Sequence, residues 1–137
     1  MSVKVFIDTN IFVYAALQDS ANHQKRLAAI AVLSGSHKIV VSTQVLNEFS
    51  AVLLKNRFPD DDIRARVEDI AADSSVALVN LDTIRMAWDM RKRYRFSLWD
   101  SLIVASALRA GCKTLYTEDL QHAMVIDSTL HVVNPFL

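Results

Sequence analysis

Four acids stand where a carboxylate could do chemistry. Asp8 ends the β-branched run Val3-Lys4-Val5-Phe6-Ile7, and Asp119 lies just past the short run Thr114-Leu115-Tyr116. Both would fall beyond strand ends, where open parallel α/β sheets collect reactive groups. Either could equally fill a turn or a helix cap, as Asp often does. Glu48 follows an apolar helical stripe of Val45, Phe49 and Val52, and at about 100° per residue it lies only about 40° from Val52. Glu is almost never buried unless paired or bound, so Glu48 is either a boundary residue or a functional group. Asp100 occupies the first turn of the nearly all-apolar stretch Ser97 to Ala105. Ser97 is an equally good cap there, which weakens the structural need for Asp100.

If these acids converge, they repel one another and their pKa values rise unless a cation neutralises them. An all-oxygen donor set without His or Cys spacing suits Mg²⁺ or Mn²⁺ rather than zinc. Such hard cations serve phosphoryl-transfer chemistry, where two ions about 4 Å apart can activate water and stabilise the leaving oxygen of a phosphodiester. His23, His37, His122 and His131 show no ligand spacing and read as surface or structural residues.

Positioning the acids requires a frame, and the chain supplies one. Short β-branched runs at 3–7, 39–41, 76–79, 114–116 and 131–133 read as strands. Helical stretches fall between them, over 11–17, 23–33, from Ser42 or Thr43 through Leu53, from Pro59 to about 74, and over 83–94 and 99–110. Gly35 suits the end of the second helix and Gly111 the end of the last. The three aspartates after Pro59 favour the positive end of a helix dipole. The helix over 99–110 is apolar nearly all round and should pack deeply, Trp99 included. Met86, Trp88 and Met90 likewise read as packing residues. Strands alternating with helices imply βαβ crossovers and a mainly parallel sheet covered on both faces.

The composition agrees with one α/β domain over residues 1–137. At 137 residues roughly 68% of the unfolded chain's surface can be buried, enough for a core without disulfide or structural metal. Hydrophobic residues form 52% of the chain and charged residues 22%, which excludes disorder. Fifteen basic residues balance fifteen acidic ones, so a globally basic nucleic-acid binder is excluded while a local basic patch is not. The lone Cys112 excludes a disulfide framework and a multi-cysteine zinc site. With no signal-peptide pattern and no apolar run near 18 residues, the chain reads as soluble and cytoplasmic, with no membrane partner.

Four segments, in order, carry a resemblance: Val5-Phe6-Ile7-Asp8-Thr9-Asn10, the helical Glu48, Ser97-Leu98-Trp99-Asp100-Ser101-Leu102-Ile103, and Thr117-Glu118-Asp119. Together they resemble PIN-domain nucleases, and in particular the VapC toxins of bacterial toxin–antitoxin pairs. The ending Val125-Ile126-Asp127 through Val132-Val133-Asn134-Pro135-Phe136 is similar to a common VapC terminus. The resemblance implies a three-layer α/β/α sandwich with a mainly parallel sheet of about five strands. It also implies a Mg²⁺- or Mn²⁺-dependent endoribonuclease with an RNA substrate and a VapB-like antitoxin that blocks its site. By position it makes Asp8, Glu48, Asp100 and Asp119 the catalytic and metal-holding acids, Asp8 and Asp100 foremost. Asn10 and Thr117 become residues that orient water or ligands. Glu118 adjoins Asp119 and competes for the fourth place; the family's Thr-x-Asp spacing selects Asp119.

Two surfaces could serve partners. Arg91-Lys92-Arg93-Tyr94-Arg95 reads either as an RNA-binding patch, with Tyr94 stacking on an unpaired base, or as a solvated helix end complementing its dipole. The apolar residues around Ile11-Phe12-Val13-Tyr14 and Leu53-Leu54 belong mostly to the core, yet suffice to feed an antitoxin groove or a homodimer face. A haloacid-dehalogenase-like phosphatase would need Asp-x-Asp, and Asn10 stands where its second acid belongs. A phospho-receiver domain would need an acidic pair that is not clear here. A non-catalytic module on a PIN scaffold predicts incomplete acids, whereas all four positions are acidic.

Overall fold

The apolar run at the start of the chain forms β1 (Lys4–Ile7) in the computed structural model, which describes residues 3–137. There follow α1 (Thr9–Ala16), one 3-10 turn (Ser20–Asn22), α2 (His23–Leu33), β2 (Lys38–Ser42), α3 (Thr43–Lys55) and α4 (Asp60–Ala72). Then come β3 (Ser75–Ala77), α5 (Leu81–Tyr94), α6 (Leu98–Arg109), β4 (Thr114–Tyr116), β5 (Val125–Ile126) and β6 (Leu130–Val133). The strands form one sheet in the order β3-β2-β1-β4-β6-β5. Five of them run parallel, and only β5 pairs antiparallel, with β6.

The fold class is therefore the expected one, an α/β arrangement on a mainly parallel sheet with flanking helices. The helices form two packed groups, α1 through α4 on one hand and the α5–α6 pair on the other. Phe6, Ile7, Val41 and Leu115 from the three central strands are fully buried with Phe49 and Leu53 of α3. Among the described residues no helix is long and apolar enough to cross a membrane.

Local chemistry sets the boundaries. The Ser42 hydroxyl accepts from the Val45 amide and starts α3; Asn80 and Thr83 cap α5 reciprocally. Gly111 takes φ +75° after α6, a conformation that glycine adopts without penalty. Gly35 does not use that freedom: a side chain there would strike the His37 ring, whose Nε2 lies 2.9 Å from the Val32 carbonyl.

The structure corrects four local expectations. The third strand lies at Ser75–Ala77, because Val79 leaves the sheet to donate its amide to the Thr43 hydroxyl at 3.2 Å. The short β5 falls in a segment read only as part of a terminus. Trp99, in the first turn of α6, is 65% exposed although Ser101 through Ala107 are buried. Trp88 is also exposed, while Met90 is buried.

Candidate active site

The chain runs outward from β1 through β2 to β3, then crosses back to place β4 on the other flank of β1. That reversal leaves a crevice beyond the carboxyl ends of β1 and β4, where α/β sheets bind their ligands. Register fixes what enters it. Ile7 pairs with Tyr116, and the Asp8 amide donates to the Tyr116 carbonyl at 3.0 Å, so Asp8 and Thr117 leave the sheet side by side.

Asp8 is both the cap of α1 and a buried carboxylate. One oxygen accepts from the Thr9 amide at 2.7 Å, the other from the Thr117 hydroxyl at 2.8 Å. The Thr117 oxygen in turn accepts from the Asp119 amide at 3.1 Å. Burial pushes the Asp8 carboxyl up to about 7, the two hydrogen bonds oppose the rise, and the charges of Asp119 and Glu48 add to it.

The other acids arrive from separate elements. Asp119 is exposed on the loop after β4 and accepts from the Asn10 amide nitrogen at 3.1 Å. Its carboxyl is raised by desolvation first, then by the charges of Asp100 and Glu118. Asp100 is half-buried and raised by desolvation, and its backbone amide is capped by the Ser97 hydroxyl at 3.0 Å. Glu48 accepts from Gln44 at 2.7 Å, and the same Gln44 nitrogen reaches the Trp99 carbonyl at 3.2 Å, tying α3 to α6. Asp8, Asn10, Glu48 and Asp119 line one open pocket of about 280 Å³. Asp100 is not among its lining residues and connects through the charge of Asp119.

Charge pairing separates neighbouring acids. Glu118 accepts from the Tyr14 hydroxyl at 2.8 Å and from Lys25 at 3.2 Å. Lys25 also lies over the Tyr14 and Phe136 rings. Among the described residues, ion pairs reach Glu118, Asp82 and Asp127, and none reaches Asp8, Glu48, Asp100 or Asp119.

The basic run divides. Arg93 pairs with Asp127, whose backbone amide donates to the Tyr94 hydroxyl at 2.9 Å, and Tyr94 stacks on Phe96. Arg91 spends a nitrogen on the Phe96 carbonyl, and Arg95 ends α5 in the left-handed conformation at φ 60°. Arg91, Lys92 and Arg95 remain exposed around Trp88, which the sequence analysis had assigned to packing.

Thr9 is the one residue of this crevice with an unpaired buried oxygen that the sequence did not single out; Asn10, expected to orient water or ligands, has another. The Thr9 hydroxyl and the Asn10 side-chain oxygen are buried without a hydrogen-bond partner. Asn10 cannot resolve this by flipping, because its nitrogen must face Asp119. The adjacency of Thr9 to Asp8 was the available signal.

A mainly parallel α/β domain with an unneutralised carboxylate pocket at its topological switch point is a scaffold for oxygen-ligand chemistry. The family model for the PIN domain matches residues 5–125, and the chain belongs to that family. A toxin–antitoxin complex from Klebsiella pneumoniae superimposes with a TM-score of 0.70 at 18% identity, covering 96% of this chain and 97% of that one. VapC20 of Mycobacterium tuberculosis, described as a sarcin-ricin-loop-cleaving toxin, gives 0.64 at 20% identity over 84% and 91%. VapBC2 of Rickettsia felis bound to promoter DNA gives 0.66 at 16% identity over 96% and 100%. No curated protein matches the sequence.

The residues present suit the divalent ion this family implies. The donors are carboxylates without protein counter-charge, beside two orphaned buried oxygens. Among the described residues no three acids, histidines or cysteines stand close enough to hold one ion by themselves.

Proposed function

We propose that this protein is a divalent-metal-dependent endoribonuclease and acts as the toxin of a type II toxin–antitoxin pair in the cytoplasm. The observation that carries this reading is that Asp8, Glu48 and Asp119 line one switch-point crevice, with Asp100 close enough for its charge to act on Asp119, and none of the four has a protein cation. Unpaired acids destabilise a fold, so their grouping fits a site that a cation completes.

Asp8 and Asp100 would hold the principal Mg²⁺ or Mn²⁺, with Glu48 and Asp119 completing the pocket or holding a second ion. The chemistry such an ion would supply is activation of a water toward phosphorus and stabilisation of the leaving oxygen, which would leave a 3′-hydroxyl and a 5′-phosphate. The chain's own residues prepare that event. Thr9 and Thr117 fix both oxygens of Asp8 before any ligand arrives. Gln44 holds Glu48 in place, and Asn10 does the same for Asp119. The free Asn10 oxygen and the Thr9 hydroxyl can orient water within the crevice. Lys25 draws Glu118 aside, which supports Asp119 as the fourth acid.

The likeness to toxin–antitoxin structures supports a VapB-like partner. A groove lined by Phe12, Ala16, Phe49 and Ile70 together with Arg66 and Asp69 is its candidate seat. The test is cleavage of total cellular RNA with mapping of new 5′ ends. The wild type cuts in Mg²⁺ or Mn²⁺ and Asp100→Asn does not. If neither cuts, the protein is a non-catalytic binding module on this scaffold.

A further inference from the structure

A second cavity, of about 630 Å³, opens beside the acids, and apart from Glu48 and Gln44 its lining has no part in the chemistry above. Its walls are α3, the segment after β3 and the first turn of α6, and it includes Glu48, which also lines the acid crevice. The two spaces therefore share a wall. Trp99 contributes an indole that is 65% exposed, against Val79 and Leu102. Glu48 is the only ionisable lining group; Asn47 supplies an exposed amide, while the Gln44 nitrogen is engaged and its oxygen is buried.

That chemistry selects the occupant. The lining holds no basic side chain that would bind a phosphate. A neutral planar ring with hydrogen-bonding edges would instead stack on Trp99 and reach an amide, as unpaired bases do on aromatic platforms. The Trp99 turn is held for this: the Gln44 nitrogen bridges the Glu48 carboxylate and the Trp99 carbonyl. Both partners are acceptors, so the Gln44 orientation is forced. Trp99 is thus mechanically linked to an acid of the site.

We infer that the Trp99 groove is a nucleobase pocket, which seats an unpaired base next to the scissile phosphate and so sets which RNA sequence is cut. This rests on the ribonuclease reading, and its test is separable from it. In Trp88→Phe protein, Trp99 is the only emitting tryptophan. Homopolymeric RNA heptamers, and a heptamer of the same backbone with abasic sugars, are titrated in EDTA, where cleavage plays no part.

The expected result is quenching by at least one homopolymer, with binding about tenfold weaker for the abasic strand, as loss of base stacking implies. Trp99→Ala, which has lost the reporter and is read by anisotropy of fluorescein-labelled strands with folding checked by circular dichroism, abolishes the distinction between based and abasic strands; Trp99→Phe, read the same way, restores part of it. Asn47→Ala changes the ranking of the four bases and serves if Trp99→Ala fails to fold. Equal binding of based and abasic strands overturns the inference. So does a Trp99 emission shift that follows protein concentration alone, which would assign the groove to a second copy of the chain. Base-dependent quenching in a protein that cuts no RNA in Mg²⁺ would uphold the pocket and defeat the nuclease reading. Cleavage without base dependence would do the reverse.

Discussion

The crevice at the carboxyl ends of β1 and β4 and the turn between β5 and β6 both gather charged residues, to opposite ends. At the turn, Asp127 and Ser128 adopt left-handed conformations with φ 50° and 59°, and the Thr129 amide closes back on the Ile126 carbonyl at 3.1 Å. Asp127 then takes Arg93 and the Tyr94 hydroxyl from α5, so every charge there has a partner. In the crevice the acids have hydrogen-bond donors but no cation. One arrangement fastens a helix to a hairpin; the other holds a field of negative charge in readiness. Compensation, rather than residue type, separates these two groups of acids.

The largest effect should come from breaking the uncompensated side. Asp100→Asn should lower RNA cleavage by about 10³-fold or more, as the removal of several kcal/mol of charge stabilisation implies. Metal-free stability should stay level or rise, because the Ser97 hydroxyl and not Asp100 caps α6. A loss of several kcal/mol in urea unfolding would make Asp100 structural.

Asp8 gives the next largest effect. Its folded carboxyl lies at about 7 against an ordinary value of 3.8, so it binds its proton more tightly folded than unfolded. Its contribution to stability is full below the ordinary value and is lost as pH rises through the folded one. Metal-free protein should therefore weaken between about pH 4 and pH 7, by up to about 4 kcal/mol from this group. Asn can still accept from the Thr9 amide, so Asp8→Asn should remove that slope and unfold later at pH 8. Urea titrations at several pH values in EDTA would reveal a slope that survives the substitution, and that would contradict the account.

On the compensated side the changes should be small and confined to stability. Tyr94→Phe loses its bonds to Asp127 and should cost about 1 kcal/mol, with RNA cleavage unaltered. Smaller still, Glu118→Gln loses the charge of its part-buried pair with Lys25 but keeps an acceptor for the Tyr14 hydroxyl, so its stability should change least. Its neighbour sharpens the contrast, since Asp119→Asn should lose most cleavage. Equal cleavage defects in these two variants would erase the distinction between paired and unpaired acids.

The elements that carry Asp8 and Glu48 were legible because each announces its own phase. The β-branched run from Val3 to Ile7 has to end at Asp8, and a 100° step places Glu48 beside a buried stripe. Trp99 was not legible in the same way. Helix α6 is apolar on every side, so its pattern carries no direction, and only the tertiary placement of its first turn exposes the ring. The basic run posed the complementary difficulty. Its charge was plain, but the Asp127 that engages Arg93 and Tyr94 lies 33 residues beyond Tyr94. Strand β5, two residues long, is shorter than any alternation can signal. The orphaned oxygens of Thr9 and Asn10 appear only once the atoms around them are placed.

Calorimetric titration of Mn²⁺ into metal-free wild type, Asp8→Asn and Glu118→Gln addresses the unneutralised crevice most directly. The account predicts saturable binding to the wild type and to Glu118→Gln, and its loss in Asp8→Asn. Binding that is unchanged by Asp8→Asn, or no saturable binding to the wild type, would contradict it.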